Sequence, residues 1–599
     1  MQRPPLDLRV FLDQLRAAGE IVEVDAQVDS KLEAAEVHRR TIAAGGPALL
    51  FRNVKGAAFP LVTNLFGTQR RVEMAFGSYP GDIIAQVARL PEEMVPPSLG
   101  KLWQKRSLFS SLAKVGSKLR SQGPVTEVVE KQAGLGRLPA MKTWARDGGP
   151  FLTLPLVLTH HPETGVPNLG MYRIQVFDDQ NVGVHMQIGK GGGFHLAAAE
   201  EIGQPLPVRI HLGGPPALML SAIAPLPENV PELLLASLCL GRKLPMATDP
   251  SGKHPIVSGA EFVLCGDIQP GARKPEGPFG DHYGYYSEIH DYPHMDVHTL
   301  LRRKDAIFPA TVVGKPRQED FYIGDYLQEL LSPLFPLVMP SVIDLWSYGE
   351  TGYHALSAAR VRERYRREAM MSAFRILGEG QLSLTKFLLL TDGNVDLHDF
   401  PTTLRYILER ADFQSDLFLM PHLAMDSLDY SGPKIDQGSK GILLGVGEPI
   451  RKLPGEFNGQ PKRGVSNVCV YTAGCLVIEL ASDSDLDPKE VARDPAFAEW
   501  PLVVISDDAE RATRSDVNFL WSTFTRFDPA SDLCAKETRL ITNHAAHTPP
   551  IVLDARMKPG YPEELFCDPD TAQTVDQRWK EYFPSGKVEM GDSDRGHLD

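Results

Sequence analysis

Cysteine is scarce in this 599-residue chain: six are scattered between Cys239 and Cys567, and no two form a C-x-x-C pair. That spacing excludes a disulfide framework, offers no cysteine zinc cage, and fits buried thiols in a reducing compartment. Long apolar runs are missing as well. Nowhere are there the roughly 18 unbroken apolar residues of a membrane span, and the opening MQRPPLDLRVFLD lacks the apolar core of a secretion signal. A cytoplasmic protein with no transmembrane segment is therefore expected. Positive charge is in deficit: 62 Lys and Arg against 76 Asp and Glu leave a net charge of −14, which argues against a nucleic-acid partner. H-E-x-x-H and G-x-S-x-G do not occur, and Gly189-Lys190-Gly191 is not followed by the Ser or Thr of a P-loop. Zincin, α/β-hydrolase and P-loop chemistry are set aside accordingly.

What is present is the composition of a globular protein, 43% hydrophobic and 23% charged, with length for about four folding units. Residues 1–120 predict an α/β domain: Leu8, Phe11, Leu12 and Leu15 share a helical face that Gly19 ends, and Ile21–Val24 follows as a strand. The basic, Ser-rich stretch from Lys101 to Lys118 reads as a connecting helix or linker. Residues 121–320 change to period two. Tyr172, Ile174 and Val176, then Val182, Val184 and Met186, alternate about a turn at Asp178–Asn181, which predicts a β-hairpin within a mainly β domain, a barrel or folded-over sheet. Pro231 begins a helix. Residues 321–460 return to α/β, and residues 461–599 form an extension. Phe387–Leu417 aligns without a gap on Val503–Leu533, which raises a duplicated strand-helix unit. The tail after Gly586 reads as disordered.

Chemistry concentrates in PEGPFGDHYGYY, Pro275 to Tyr286, where Glu276 and Asp281 stand five residues apart among aromatic rings. Burial beside rings and a second acid is expected to raise their pKa values toward general-acid work; a turn whose acids cap backbone amides is the alternative. Arg173, on the hairpin, would be costly to bury unless paired, and could orient Glu276 and clamp a substrate carboxylate. Asn168 and Glu232 carry hard oxygens suited to a magnesium- or manganese-like ion, though each also reads as a turn residue and a first-turn helix carboxylate.

These residues resemble the UbiD family of decarboxylases, which use prenylated FMN. The likeness runs over about residues 7 to 450 and includes GGPALLFRNVKG, NLFGT, NLGMYR (Asn168–Arg173), Pro225–Lys243, EGPFGDHYGYY (Glu276–Tyr286) and Gly438-Ser439-Lys440. It implies a central split β-barrel that holds the flavin and a C-terminal α/β domain that mediates homo-oligomerisation, as a dimer or hexamer. It places Arg173, Glu276 and Asp281 as the catalytic group, with Asp281 the proton donor. Asn168, Met171, Arg173, Gln187, Lys190, Glu232 and Lys440 are implied at the cofactor. Asn168 and Glu232 would hold a divalent metal, Mn2+ or Mg2+, with K+ as a further ion. The family's third metal ligand, a histidine, falls at Gly189, which has no ligating side chain; His185 or His195 would replace it, the metal would be held more weakly, or the chain is a non-catalytic flavin-binding relative.

The implied reaction is non-oxidative loss of CO2 from an aromatic or α,β-unsaturated acid, with the flavin as electron sink and an acid protonating the resulting carbanion equivalent. A separate flavin prenyltransferase must supply the cofactor. Asp at 281 followed by HYGYY looks like the quinone-pathway members. The extension resembles the longer forms of the futalosine route to menaquinone, which makes a dihydroxynaphthoate the first expected substrate and a 4-hydroxy-3-polyprenylbenzoate the second.

Overall fold

The structure, a computed structural model, describes residues 2–186, 191–226, 230–315, 317–481 and 484–592. It forms two compact units, one of residues 2–330 with 564–592, the other of residues 331–563. Among the described residues no helix is long and apolar enough to cross a membrane.

The first unit opens with the helix Leu8–Ala18, capped by the Asp7 side chain on the Val10 amide and ended by Gly19 at φ 72°, a left-handed conformation that costs glycine least. Leu8, Phe11, Leu12 and Leu15 are its buried face. A four-stranded sheet follows, in the order Ile21–Val24, Ala48–Phe51, Leu61–Thr63, Phe308–Pro309.

The centre of this unit is a ten-stranded sheet. Its main path runs Phe151–Leu152, Ile174–Val176, Asn181–Val184, His290–Arg302, Phe262–Ile268, Leu206–Leu212, Pro155–His160, Pro167–Gly170, and Arg273–Glu276 and Val128–Glu130 pair on the long His290–Arg302 strand. The end strands Phe151–Leu152 and Pro167–Gly170 are not paired to each other, so the barrel is split rather than closed. Alternation decides which side is core. Val208, Ile210, Leu212, Phe262 and Leu264 join the main core, while Val263, Cys265 and Leu301 point to a smaller cluster on the other face. The hairpin turns where expected, with Asp178 Oδ1 accepting from the Gln180 and Asn181 amides at 2.8 Å each.

The tail returns to this unit. Helix Pro569–Tyr582 packs on the N-terminal domain: Val575, Tyr582 and Phe583 enter the main core, Arg578 and the Tyr582 hydroxyl engage Glu33, and Arg40 pairs with Asp576 at 2.9 Å. Order continues past Gly586 through residue 592, contrary to the disorder expected there; residues 593–599 lie outside the described residues. Val588 is buried and the Gly591 amide donates to Arg40 O at 2.9 Å, because the tail has an apolar partner that its local composition does not reveal.

The second unit holds two five-stranded sheets of one topology. The first runs Val342–Ser347, Leu356–Val361, Phe387–Thr391, Gln437–Gly445, Leu417–Ala424; the second runs Val465–Thr472, Cys475–Leu480, Leu502–Ser506, His544–Asp554, Leu533–Ile541. Both pair antiparallel, parallel, parallel, antiparallel along that order. Helices Phe400–Arg410 and Asp516–Phe524 take equivalent places in the two modules. Phe400, Leu404 and Ile407 of one meet Phe519, Leu520 and Phe524 of the other in a single shared core.

Candidate active site

The strand Arg273–Glu276 ends in a bend that glycine makes possible. Gly277 sits at φ 100° and Gly284 at φ 86°, and a Cβ on Gly280 would lie 2.1 Å from the Trp144 ring. Asp147, buried, fastens the bend by accepting from the Gly280 amide at 2.8 Å and from the Thr143 and Trp144 amides at 2.9 Å. The Gly277 amide donates to Gln175 Oε1 at 2.8 Å. This scaffold carries Glu276 and Asp281 to Arg173, which stands at the entrance to strand Ile174–Val176.

Arg173 binds both acids. Its Nε and one terminal nitrogen donate to Glu276 Oε1 and Oε2 at 2.9 Å each, and its other terminal nitrogen donates to Asp281 Oδ2 at 2.5 Å. The nitrogen on Glu276 also reaches Ser287 Oγ at 2.9 Å, and the guanidinium lies 5.0 Å over the Phe279 ring. A buried bidentate pair with a second anion is a rigid, charge-assisted arrangement.

Charge state departs from the expectation of raised acid pKa values. Burial pushes Glu276 up, but Arg173 and His185 outweigh it and hold the carboxyl at about 2. Burial likewise pushes Asp281 up, and His282 with Arg173 holds it well below the usual carboxylate range. The acids do not face each other across apolar rings; each faces a cation, so both are anions at rest. Asp281 is thus not a stored acid at rest.

Against Asp281 stands His282, which the sequence pattern does not single out. Its Nδ1 lies 2.6 Å from Asp281 Oδ1, and its amide donates to the same oxygen at 2.7 Å. Ser287 is a second residue of the site without a signal of its own; only their placement within the HYGYYS run hints at either. His185 Nδ1 meets Glu276 Oε2 at 3.1 Å, its ring lies 4.1 Å from that of Tyr292, and burial and Arg173 lower its pKa.

Asn168 and Glu232 come together at the edge of the sheet. Asn168, in strand Pro167–Gly170, donates from Nδ2 to Glu232 Oε1 at 3.0 Å, and the Leu169 amide donates to Glu232 Oε2 at 2.9 Å. Glu232 opens helix Glu232–Leu240, and burial raises its pKa. Asn168 Oδ1 is buried with no hydrogen-bond partner among the described residues. Helix Gly191–Glu201 begins against this pair: a Cβ on Gly191 would stand 2.3 Å from Asn168 Nδ2, and the Gly192 amide donates to the Tyr172 hydroxyl at 3.2 Å.

Among the described residues no three His, Cys, Asp or Glu side chains gather into a metal-binding group. His195 turns Nδ1 to Thr159 Oγ1 at 2.9 Å. Met171 is half-buried between Asn168 and Arg173 in the chain. Gln187, Gly189 and Lys190 lie outside the described residues. Lys440 belongs to the second unit, where its ammonium donates to Thr385 O at 2.9 Å and burial lowers its pKa to about 8.

Three models of 3-octaprenyl-4-hydroxybenzoate carboxy-lyase match: the N-terminal domain over residues 12–90, the Rift-related domain over 117–316 and the C-terminal domain over 321–445. A protein of Chlamydia trachomatis serovar D, itself uncharacterized, is 50% identical over 96% of this chain and 100% of its own length. The chain belongs to the UbiD family. It is by that membership an enzyme of the carboxy-lyase class whose members use prenylated FMN. A Chlamydia pneumoniae protein named as one of the subunits of a 4-hydroxybenzoate decarboxylase is 49% identical to this UbiD-family chain over 96% of it and 98% of the relative. Among solved structures, Sedimentibacter hydroxybenzoicus vanillic acid decarboxylase superposes with TM-score 0.65 at 23% identity, over 77% of this chain and 96% of that one. The UbiD-class enzyme HmfF from Pelotomaculum thermopropionicum, in complex with FMN, gives 0.61 at 23% identity over 76% and 96%. These two share the fold.

Proposed function

We propose that this enzyme removes CO2, non-oxidatively and reversibly, from an aromatic carboxylic acid that serves as a quinone precursor, with a dihydroxynaphthoate of menaquinone biosynthesis as the substrate. The observation that carries the site assignment is Arg173 held between Glu276 and Asp281 with His282 behind the second acid. The substrate choice is supported by the extension past residue 461, which resembles the longer members and is shared with relatives that match over 96% of the chain. A 4-hydroxy-3-polyprenylbenzoate is the second reading, favoured by the description of the matching family models.

The donor set fits the implied cofactor and metal. The unpartnered Asn168 Oδ1 and the Glu232 carboxylate are adjacent hard oxygens that would hold Mn2+ or Mg2+, and Gly191 and Gly192 leave the backbone open to close approach beside them. Prenylated FMN, when bound, supplies the electron sink for decarboxylation. Arg173 keeps its charge, places Glu276 and Asp281, and offers a cation to an incoming carboxylate. Glu276 fixes the guanidinium plane through two bonds. Asp281 Oδ1 and His282 Nδ1 share one hydrogen bond; a proton passes from His282 Nδ1 through Asp281 to the substrate carbon that has lost CO2, and His282 is reprotonated from solvent, which its partial exposure allows.

The test is native mass spectrometry and turnover of protein co-produced with a flavin prenyltransferase and supplied with manganese and potassium. Bound prenylated FMN with a divalent ion, and CO2 release from the dihydroxynaphthoate, are expected; the same spectra read the assembly, for which a homodimer or hexamer is expected. Release only from the polyprenylbenzoate would favour the second reading. Repeated absence of flavin and metal would mark a non-catalytic relative.

A further inference from the structure

Residues 91–116 fall between the spans matched by the N-terminal and Rift-related family models. Here the usual relation between an amphipathic helix and its protein is inverted. Helix Leu99–Gln104 buries none of its residues, and Leu99, Leu102 and Trp103, spaced to share one face, are 86%, 42% and 71% exposed. Val95 before it and Leu119 after it are 70% and 60% exposed. A helix this short gains little from propensity, and its outward apolar face is left in water unless something covers it.

The same region concentrates positive charge on an acidic chain. From Lys101 to Arg120 there are six Lys and Arg and no Asp or Glu, against a net charge of −14 for the whole. Among the described residues, only Lys105 of these six meets a carboxylate, that of Glu93. Strand Ser117–Arg120 lies on Leu244–Ala247, and next to it Lys114, Lys118, Arg120, Arg242 and Lys243 line an open cavity of about 290 Å3 with no acidic residue in its wall. None of these five is ion-paired among the described residues. Solvent-facing Leu and Trp followed within one chain segment by a cluster of cations is the signature of a helix that lies in a membrane interface rather than across it.

We propose that residues 95–120, with Arg242 and Lys243, form a docking surface for an anionic phospholipid bilayer. Leu99, Leu102 and Trp103 enter the headgroup–acyl boundary, and the cationic cavity receives lipid phosphates. The exposed apolar face favours lipid over a polynucleotide, which would need the cations alone. Docking here is independent of which acid the enzyme decarboxylates.

Sedimentation of the full-length protein with vesicles tests it. Binding to vesicles containing about 30% phosphatidylglycerol should exceed binding to pure phosphatidylcholine by about tenfold, and should fall as salt rises beyond roughly 0.5 M. Two variants separate the contributions: Leu99→Ser with Trp103→Ser, and Lys114→Gln with Lys118→Gln and Arg120→Gln. Each should weaken vesicle binding about tenfold, with circular dichroism unchanged. Equal affinity for neutral vesicles, no binding, or binding indifferent to both variants overturns the proposal. So does tighter binding to single-stranded RNA than to the vesicles, or a dimer in solution that needs Leu99 and Trp103 and ignores vesicles.

Discussion

His282 Nδ1 lies 2.6 Å from Asp281 Oδ1, the carboxylate oxygen that Arg173 leaves to it. Asp281 is thereby gripped on one oxygen by the Arg173 guanidinium and on the other by an imidazole nitrogen. In the mechanism proposed above, the division separates placement from proton supply.

Replacing His282 with Gln should lower kcat by about 100-fold, the range of a lost general acid, with smaller change in KM. Hydrogen–deuterium exchange into the decarboxylated position should slow in parallel. A variant that keeps wild-type turnover and pH profile would remove His282 from the proton path.

Glu276→Gln takes away the bidentate partner of Arg173 while keeping its shape. Turnover should fall by about 1,000-fold, since the guanidinium loses the plane that aims it, while flavin occupancy by mass spectrometry stays unchanged. Full turnover in flavin-loaded Glu276→Gln protein would show that the assigned role is wrong.

Removing Arg173 leaves two buried anions without their cation. Arg173→Ala should destabilise the first unit by about 3–5 kcal/mol, read as a lower urea midpoint, whereas Ser287→Ala, which deletes one of the guanidinium's bonds, should cost about 1 kcal/mol.

The pH dependence has a definite sign. Glu276 titrates at about 2 in the fold against an ordinary 4.5, so its share of stability is fully present above pH 4.5 and is lost as pH falls toward 2. Asp281, also depressed, adds in the same direction. The Tm difference between wild type and Glu276→Gln should narrow steadily as pH falls from about 5 to about 3; a constant difference would mean that Glu276 is not held as an anion.

At the candidate metal site, Asn168→Ala removes the orphan oxygen and should lower manganese retained after dialysis by about tenfold or more, with Glu232→Gln acting similarly. Unchanged metal content in both variants would move the ion elsewhere.

Much of the framework is local and is legible residue by residue. The helix Leu8–Ala18 follows from one apolar stripe between an Asp cap and a Gly stop, and the hairpin from two alternating runs about Asp178–Asn181. The motif around Glu276 and Asp281 points to the family for the same reason, since it needs only neighbouring letters. Contacts across long stretches are a different matter: Arg173 meets Glu276 103 residues away and Asp281 108 away, and Arg578 meets Glu33 across 545. Burial and distance set protonation, so the expected rise in the two acid pKa values became a fall once Arg173 stood beside both, with His185 at Glu276 and His282 at Asp281. Sequence alone determined periodicity, turns and the family motif, because these depend on neighbours along the chain. Only the tertiary structure decided the ionic state of Asp281, the place of His282 and the return of the tail to the first unit, because each depends on which distant groups share a low-dielectric volume.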